Sequence, residues 1–295
     1  MTTPVPPAPL SSRGLGVTEV LAGAPDPVVA AFAALTLLGN PLVLFALVAV
    51  VYWRPPSVAA EPRRAVASLV ALSLGGAALV FALKGLFALP RPPGVAESGY
   101  GFPSGHALGS TVVYGGAALL FDGLDRRRTV PAAAAVVCLV AASRLVLGVH
   151  YLVDVAAGVA VGVAFLGVAV GLGLDRPGRG FVAAVALAAA AVAVTAREPD
   201  PAAVETARDA AAVGGGAVGG ALAWRVVEGD EGPVSLPTAV AGFVVATGLW
   251  GGSVAMDLPL PAVVAAGGVA VALAMGLPRL AVAVAERKEA GTVDR

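Results

Sequence analysis

The chain has 295 residues, 58% of them hydrophobic and 13% charged, with equal numbers of basic and acidic side chains and no net charge. Soluble globular proteins carry about 25% charged residues, so this composition, with a mean hydropathy of +0.88, excludes a water-facing surface and points to an integral membrane protein. Zero net charge excludes a basic nucleic-acid-binding surface, and a single cysteine, Cys138, excludes a disulfide framework.

The chain begins without a basic stretch ahead of an apolar one, so no cleavable signal peptide is expected. Residues 1–27 read as an N-terminal tail with a candidate interfacial helix. A membrane-crossing helix needs about 20 apolar residues. The first span is expected over Val28–Trp53, kinked at Asn40-Pro41, with Tyr52 and Trp53 at the level of the membrane interface. The second is expected over Ala65–Leu89, where Pro90, Pro92 and Pro93 stop it. A polar loop, "RPPGVAESGYGFPSGH", leads to a third span over Ser104–Phe121. After the charged turn "DGLDRRR", the fourth and fifth spans run over Val130–Gly148 and Tyr151–Leu174, and a sixth over Phe181–Thr195. The segment 197–212 reads as an interfacial helix. "VGGGAVGGALAW" then opens a seventh span, whose small-xxx-small glycines allow close helix contact. Spans over 237–254 and 260–284 precede the charged tail. The predicted architecture is an all-α, polytopic membrane helix bundle of about nine spans. Cys138, inside an apolar run, reads as a buried small side chain.

Ionisable groups within membrane segments are costly, so each is a functional candidate. Arg54, Arg63, Arg64, Arg126, Arg127, Arg128, Arg176 and Arg179 read as loop residues solvated by water. Lys84, Arg144, His150 and Asp154 do not, and Arg91 and His106 lie near span ends. Because successive spans reverse direction, these clusters converge on one side of the membrane. His150 and Asp154, four apart, share a helix face. Three cations in an apolar setting call for an anion, and guanidinium forks match phosphate oxygens. "PSGH" opens a helix whose free N–H groups also favour an anion, with Gly105 permitting close approach and the Ser104 hydroxyl adding a donor. In this reading Arg144 binds phosphate, His150 attacks it and Asp154 orients His150. With only two histidines, His106 and His150, and one cysteine, a zinc site is not expected.

Three stretches, "KGLFALPRP" (Lys84 to Pro92), "PSGH" (Pro103 to His106) and "SRLVLGVHYLVD" (Ser143 to Asp154), occur in order. In them the chain resembles the type 2 phosphatidic acid phosphatases, membrane lipid phosphatases related to the vanadium haloperoxidases. The resemblance covers roughly residues 28–174. It implies a six-span phosphatase-like core, taken here as 28–196, followed by a C-terminal membrane extension over 197–295. It also implies that Lys84, Arg91, Ser104, Gly105 and Arg144 hold the phosphate. His150 is then the nucleophile that forms a phosphohistidine, and His106 protonates the leaving oxygen before activating water. Asp154 fixes the tautomer of His150. No metal and no cofactor are implied.

The expected substrate is a lipid phosphate or isoprenyl diphosphate presented by the bilayer. The alternatives are a lipid-linked phosphotransferase and a non-enzymatic lipid-binding membrane protein. The extra C-terminal spans carry no matching motif and are expected to shape packing or lipid access rather than chemistry. Basic residues crowd the non-catalytic loops, while Arg13 is the one catalytic-side cation not claimed by a motif. The expected location is the cell membrane, with the active site on the extracytoplasmic side.

Overall fold

The computed structural model describes residues 13, 15–95, 97–197, 200–227 and 234–293; most of the expected N-terminal tail lies outside them. The described chain is all-α. Its helices are α1 (Val17–Ala22), α2 (Asp26–Leu35), a 3₁₀ turn (Thr36–Gly39), α3 (Pro41–Trp53), α4 (Pro62–Phe87), α5 (Gly105–Leu120), α6 (Arg126–Val146), α7 (Leu152–Gly171), α8 (Pro177–Thr195), α9 (Pro201–Val226), α10 (Leu236–Ala255) and α11 (Leu260–Val293). Among the described residues six helices, α4, α6, α7, α8, α10 and α11, are long and apolar enough to cross a membrane, and α2 with α3 forms a seventh, bent candidate.

The first expected span is broken rather than kinked, with a bend of 49°. Asn40 leaves the helical conformation, and its side-chain oxygen accepts from the N–H groups of Leu42 (2.9 Å) and Val43 (3.4 Å). Pro41 occupies the first helical position, where its missing donor costs nothing. A capped restart is thereby preferred over a continuous helix with an orphaned carbonyl.

The segment expected to be an interfacial helix is instead the first part of α9, one continuous helix with the glycine-rich stretch. Asp200 caps it by accepting from Ala203 N at 2.9 Å. Its Ala203, Thr206, Ala207 and Ala210 are buried. Two of the charged residues that give 197–212 its polar look, Glu205 and Asp209, line a cavity of the bundle. The glycines of α9 meet α11 backbone to backbone. A Cβ on Gly215 would lie 2.0 Å from Val264 O, and one on Gly219 would lie 1.9 Å from Gly268 O. Gly219→Val must therefore push two helices apart, at a cost of about 1–3 kcal/mol or more. Unfolding in detergent should report that loss. Gly248→Ala, where nothing lies within 4 Å, should be neutral or slightly stabilising.

Three further expectations are corrected. Tyr52 and Trp53 do not face the interface. They are buried in the main core with Leu74, Phe181, Val213 and Met275, and Trp53 Nε1 donates to Ala274 O at 2.7 Å. Arg63 is buried in the first turn of α4, its guanidinium 5.6 Å from the Tyr52 ring centroid, because the ring offers a π-face to the cation. Cys138 is exposed on α6, since that helix turns much of its length away from the bundle.

Candidate active site

Four helix ends meet at one end of the bundle: the C-terminal ends of α4 and α6 and the N-terminal ends of α5 and α7. Ser104 caps α5, its hydroxyl accepting from Ala107 N at 3.5 Å. Its own N–H donates to Asp154 O at 3.0 Å, which ties the start of α5 to α7. Gly158 makes that approach feasible, because a Cβ there would lie 2.7 Å from Ser104 O. The N–H groups of Gly105 and His106, in the first turn, have no intrahelical acceptor and form a local anion-attracting site.

Lys84, Arg91, Gly105, His106 and His150 line one cavity of about 330 Å³. Arg144, in the last turn of α6, is buried beside them. Its Nη1 donates to Thr36 Oγ1 at 3.1 Å. Its Nη2 donates to both oxygens of Glu97, at 2.7 and 2.8 Å. Arg91 Nη1 lies 2.9 Å from Glu97 Oε2 and 3.1 Å from His150 Nε2. One carboxylate thus bridges two guanidiniums next to an imidazole. Burial would raise the Glu97 carboxyl, but the hydrogen bond and charge of Arg144, with the charge of Arg91, hold it below the usual carboxylate range.

His150 is almost completely buried in the turn between α6 and α7. A guanidinium can only donate, so the Nε2 facing Arg91 is the acceptor and the ring proton sits on Nδ1. Nδ1 points to Asp154 Oδ2 at 3.6 Å. Burial pushes His150 down to about 4. The interaction with Asp154 opposes that shift, while Arg91, Arg144 and Lys84 add to it. The imidazole is neutral at pH 7, with its unprotonated nitrogen on the cation side.

All eight residues singled out from the sequence therefore lie around this cavity or in direct contact with a group that lines it. Sequence reasoning missed four others. Arg13, read as a free charge, donates through Nη1 to Asp154 Oδ1 at 2.9 Å and lies 4.7 Å over the Tyr151 ring. Asp154 Oδ2 meanwhile accepts from Tyr151 N at 3.0 Å. Glu97 occupies the guanidinium pair. Glu205 and Asp209 of α9 line the same cavity, and Ser98 donates to Glu205 Oε1 at 2.8 Å. Two carboxylates four apart in an Ala- and Gly-rich helix were the available signal. Arg13 and Glu97 had none, since Arg13 gains its meaning from Asp154 and Glu97 from bridging Arg91 to the distant Arg144.

Residues 64–176 match a family model described as the PAP2 superfamily. No curated protein and no solved structure matches the chain.

Proposed function

We propose, from the match of residues 64–176 to the PAP2 superfamily, a family of phosphatase-type enzymes acting on phosphate esters, that the protein is a membrane phosphatase acting on a lipid phosphate or isoprenyl diphosphate through a phosphohistidine on His150. The observation that carries this reading is the bridging Glu97. Two guanidiniums hold paired anionic oxygens 2.7–2.9 Å away, and one of those guanidiniums touches the unprotonated nitrogen of His150. A phosphoryl group in place of that carboxylate would meet the nucleophile directly.

The steps follow from the groups present. Arg91, Arg144 and Lys84, with the first N–H groups of α5 and Ser104, hold the phosphoryl oxygens and stabilise charge in transfer. His150 Nε2 attacks phosphorus, the N–P bond forms and the P–O bond to the lipid breaks. His106 gives its proton to the leaving oxygen. It then takes a proton from water, which cleaves the N–P bond and releases phosphate. Asp154 favours the Nδ1–H tautomer and stabilises the ring as it becomes cationic. The fixed cations supply the positive charge, so turnover should survive EDTA. The test is phosphate release by purified protein from phosphatidic acid and isoprenyl diphosphates. Failure on every phosphate ester tried would overturn the reading.

We further propose that the site faces away from the cytoplasm. Among the described residues through α7, the cations at the catalytic end are used, either in the cavity or, for Arg13, by Asp154. Arg54, Arg64, Arg126, Arg127, Arg128, Arg176 and Arg179 lie at the other end, and Lys/Arg excess marks cytoplasmic loops. In a Cys138→Ala background, Gly94→Cys should react with a membrane-impermeant maleimide on intact cells and Arg127→Cys should not. The reverse pattern would put the site inside.

A further inference from the structure

A second cavity, of about 90 Å³, lies deeper in the bundle between α3, α10 and α11. Its walls include Phe45, Val48, Phe243, Trp250, Val271 and Met275. Phe45 and Trp250 line the phosphate cavity as well, so the two spaces share a wall. The rings of these residues stand 5.2 Å apart at 57° and form the partition between the polar and apolar spaces. The apolar cavity then follows α3 from Phe45 to Trp53, which at 1.5 Å per residue is roughly 12 Å along the helix. The Trp53 hydrogen bond to Ala274 O lies at that end.

The lining explains why the space is not a water pocket. It is nearly all hydrocarbon and aromatic ring, and apolar cavities of about this size stay dry and accept small hydrocarbon groups. The wall facing outward is α10, which keeps only Ala239 and Ser253 buried and turns Val240, Val244 and Val245 outward. A helix so lightly buried can shift to admit a chain more readily than the packed α4 or α9.

We propose that this cavity takes the apolar tail of the substrate, entering past Phe45 and Trp250 while the phosphate lies at His150. This rests on the phosphatase reading above and adds a role for α10 and α11, both outside the segment matched to the family. The occupant follows from continuity. A group anchored at Arg91 and Arg144 has an apolar space beyond one aromatic pair, and a lipid phosphate is polar at one end and apolar at the other. Since the tail leaves one apolar medium for another, selectivity comes from shape rather than from release of water.

Ala246 of α10 lines the cavity, and Ala246→Phe would fill it. Overpacking a filled site costs roughly fivefold or more in an equilibrium. The kcat/KM for dioleoyl phosphatidic acid, relative to that for the dibutyryl form, should fall at least about fivefold in Ala246→Phe. It should not change in Val244→Phe, on the outward face of the same helix. Independently of turnover, a lipid phosphate carrying a diazirine near its tail end should crosslink to the wild-type protein at α3, α10 or α11 around this cavity. An unchanged ratio in Ala246→Phe, or crosslinks only at outward-facing residues, would overturn the proposal. Absence of hydrolysis of every phosphate ester tried, isoprenyl diphosphates included, would instead defeat the phosphatase reading, and the crosslinking result would still decide where the tail lies.

Discussion

His150→Ala should reduce kcat by about 10³-fold or more and abolish the phosphorylated intermediate, because removing a nucleophile removes the covalent route. No other described side chain offers an unprotonated nitrogen to the guanidinium pair in this geometry. Two readouts make the expectation specific. Acid-labile, base-stable label from a radioactive substrate should appear in wild type and vanish in the variant. The acid limb of kcat/KM should also lie well below the ordinary histidine range. The sign follows from burial. A folded-state value of about 4 keeps the attacking form populated as pH falls, and activity is lost only near that value rather than near about 6.5. Substantial turnover in His150→Ala would refute the covalent mechanism, and an acid limb near the ordinary histidine value would contradict the neutral, buried imidazole.

Arg144→Ala should cost about 10²–10³ in kcat/KM, the usual effect of deleting one fixed donor to a developing oxyanion. Arg144→Lys should recover only part, since an ammonium lacks the planar fork that now holds Thr36 Oγ1 through Nη1 and the anion through Nη2. The counterpart is Glu97→Gln, which removes the resident anion and keeps a similar shape. It should act in the opposite direction, tightening inhibition by orthovanadate by about fivefold. Activity within about threefold of wild type in Arg144→Ala, or weaker vanadate binding in Glu97→Gln, would mean that the guanidinium pair is not the phosphate site.

The polar residues of the core site were legible because an apolar chain gives them no other explanation. Lys84, Arg144 and Asp154 stand inside hydrophobic runs, and the alternation of spans brings them to one end. The restart at Asn40-Pro41 was legible as a disturbance, but its form depended on the Asn40 side chain finding the N–H groups of Leu42 and Val43. The role of α9 was obscured because charged residues among alanines resemble a solvated surface; the spacing of Glu205 and Asp209 marks them as a pair, but tertiary packing is needed to place them on the phosphate cavity. Arg13 is 141 residues from Asp154, and no periodicity or spacing links such a pair. Glu97 lies in a loop without repeat structure, where its carboxylate looked like any exposed charge.

The carboxylate of Glu97 also bears on how the reaction ends. It is tethered, so its effective concentration at the two guanidiniums is high and does not change with cellular conditions. Every free anion that reaches the site must compete with it, and inorganic phosphate brings only the contacts to its own oxygens to offset that competition. A substrate does, through whatever the remainder of the molecule binds. In the proposed mechanism, once the phosphoryl group has left histidine and the lipid has gone, the returning carboxylate favours release of the orphaned phosphate, and the cations are neutralised again before the next substrate arrives. In that mechanism the loop limits inhibition by the phosphate released.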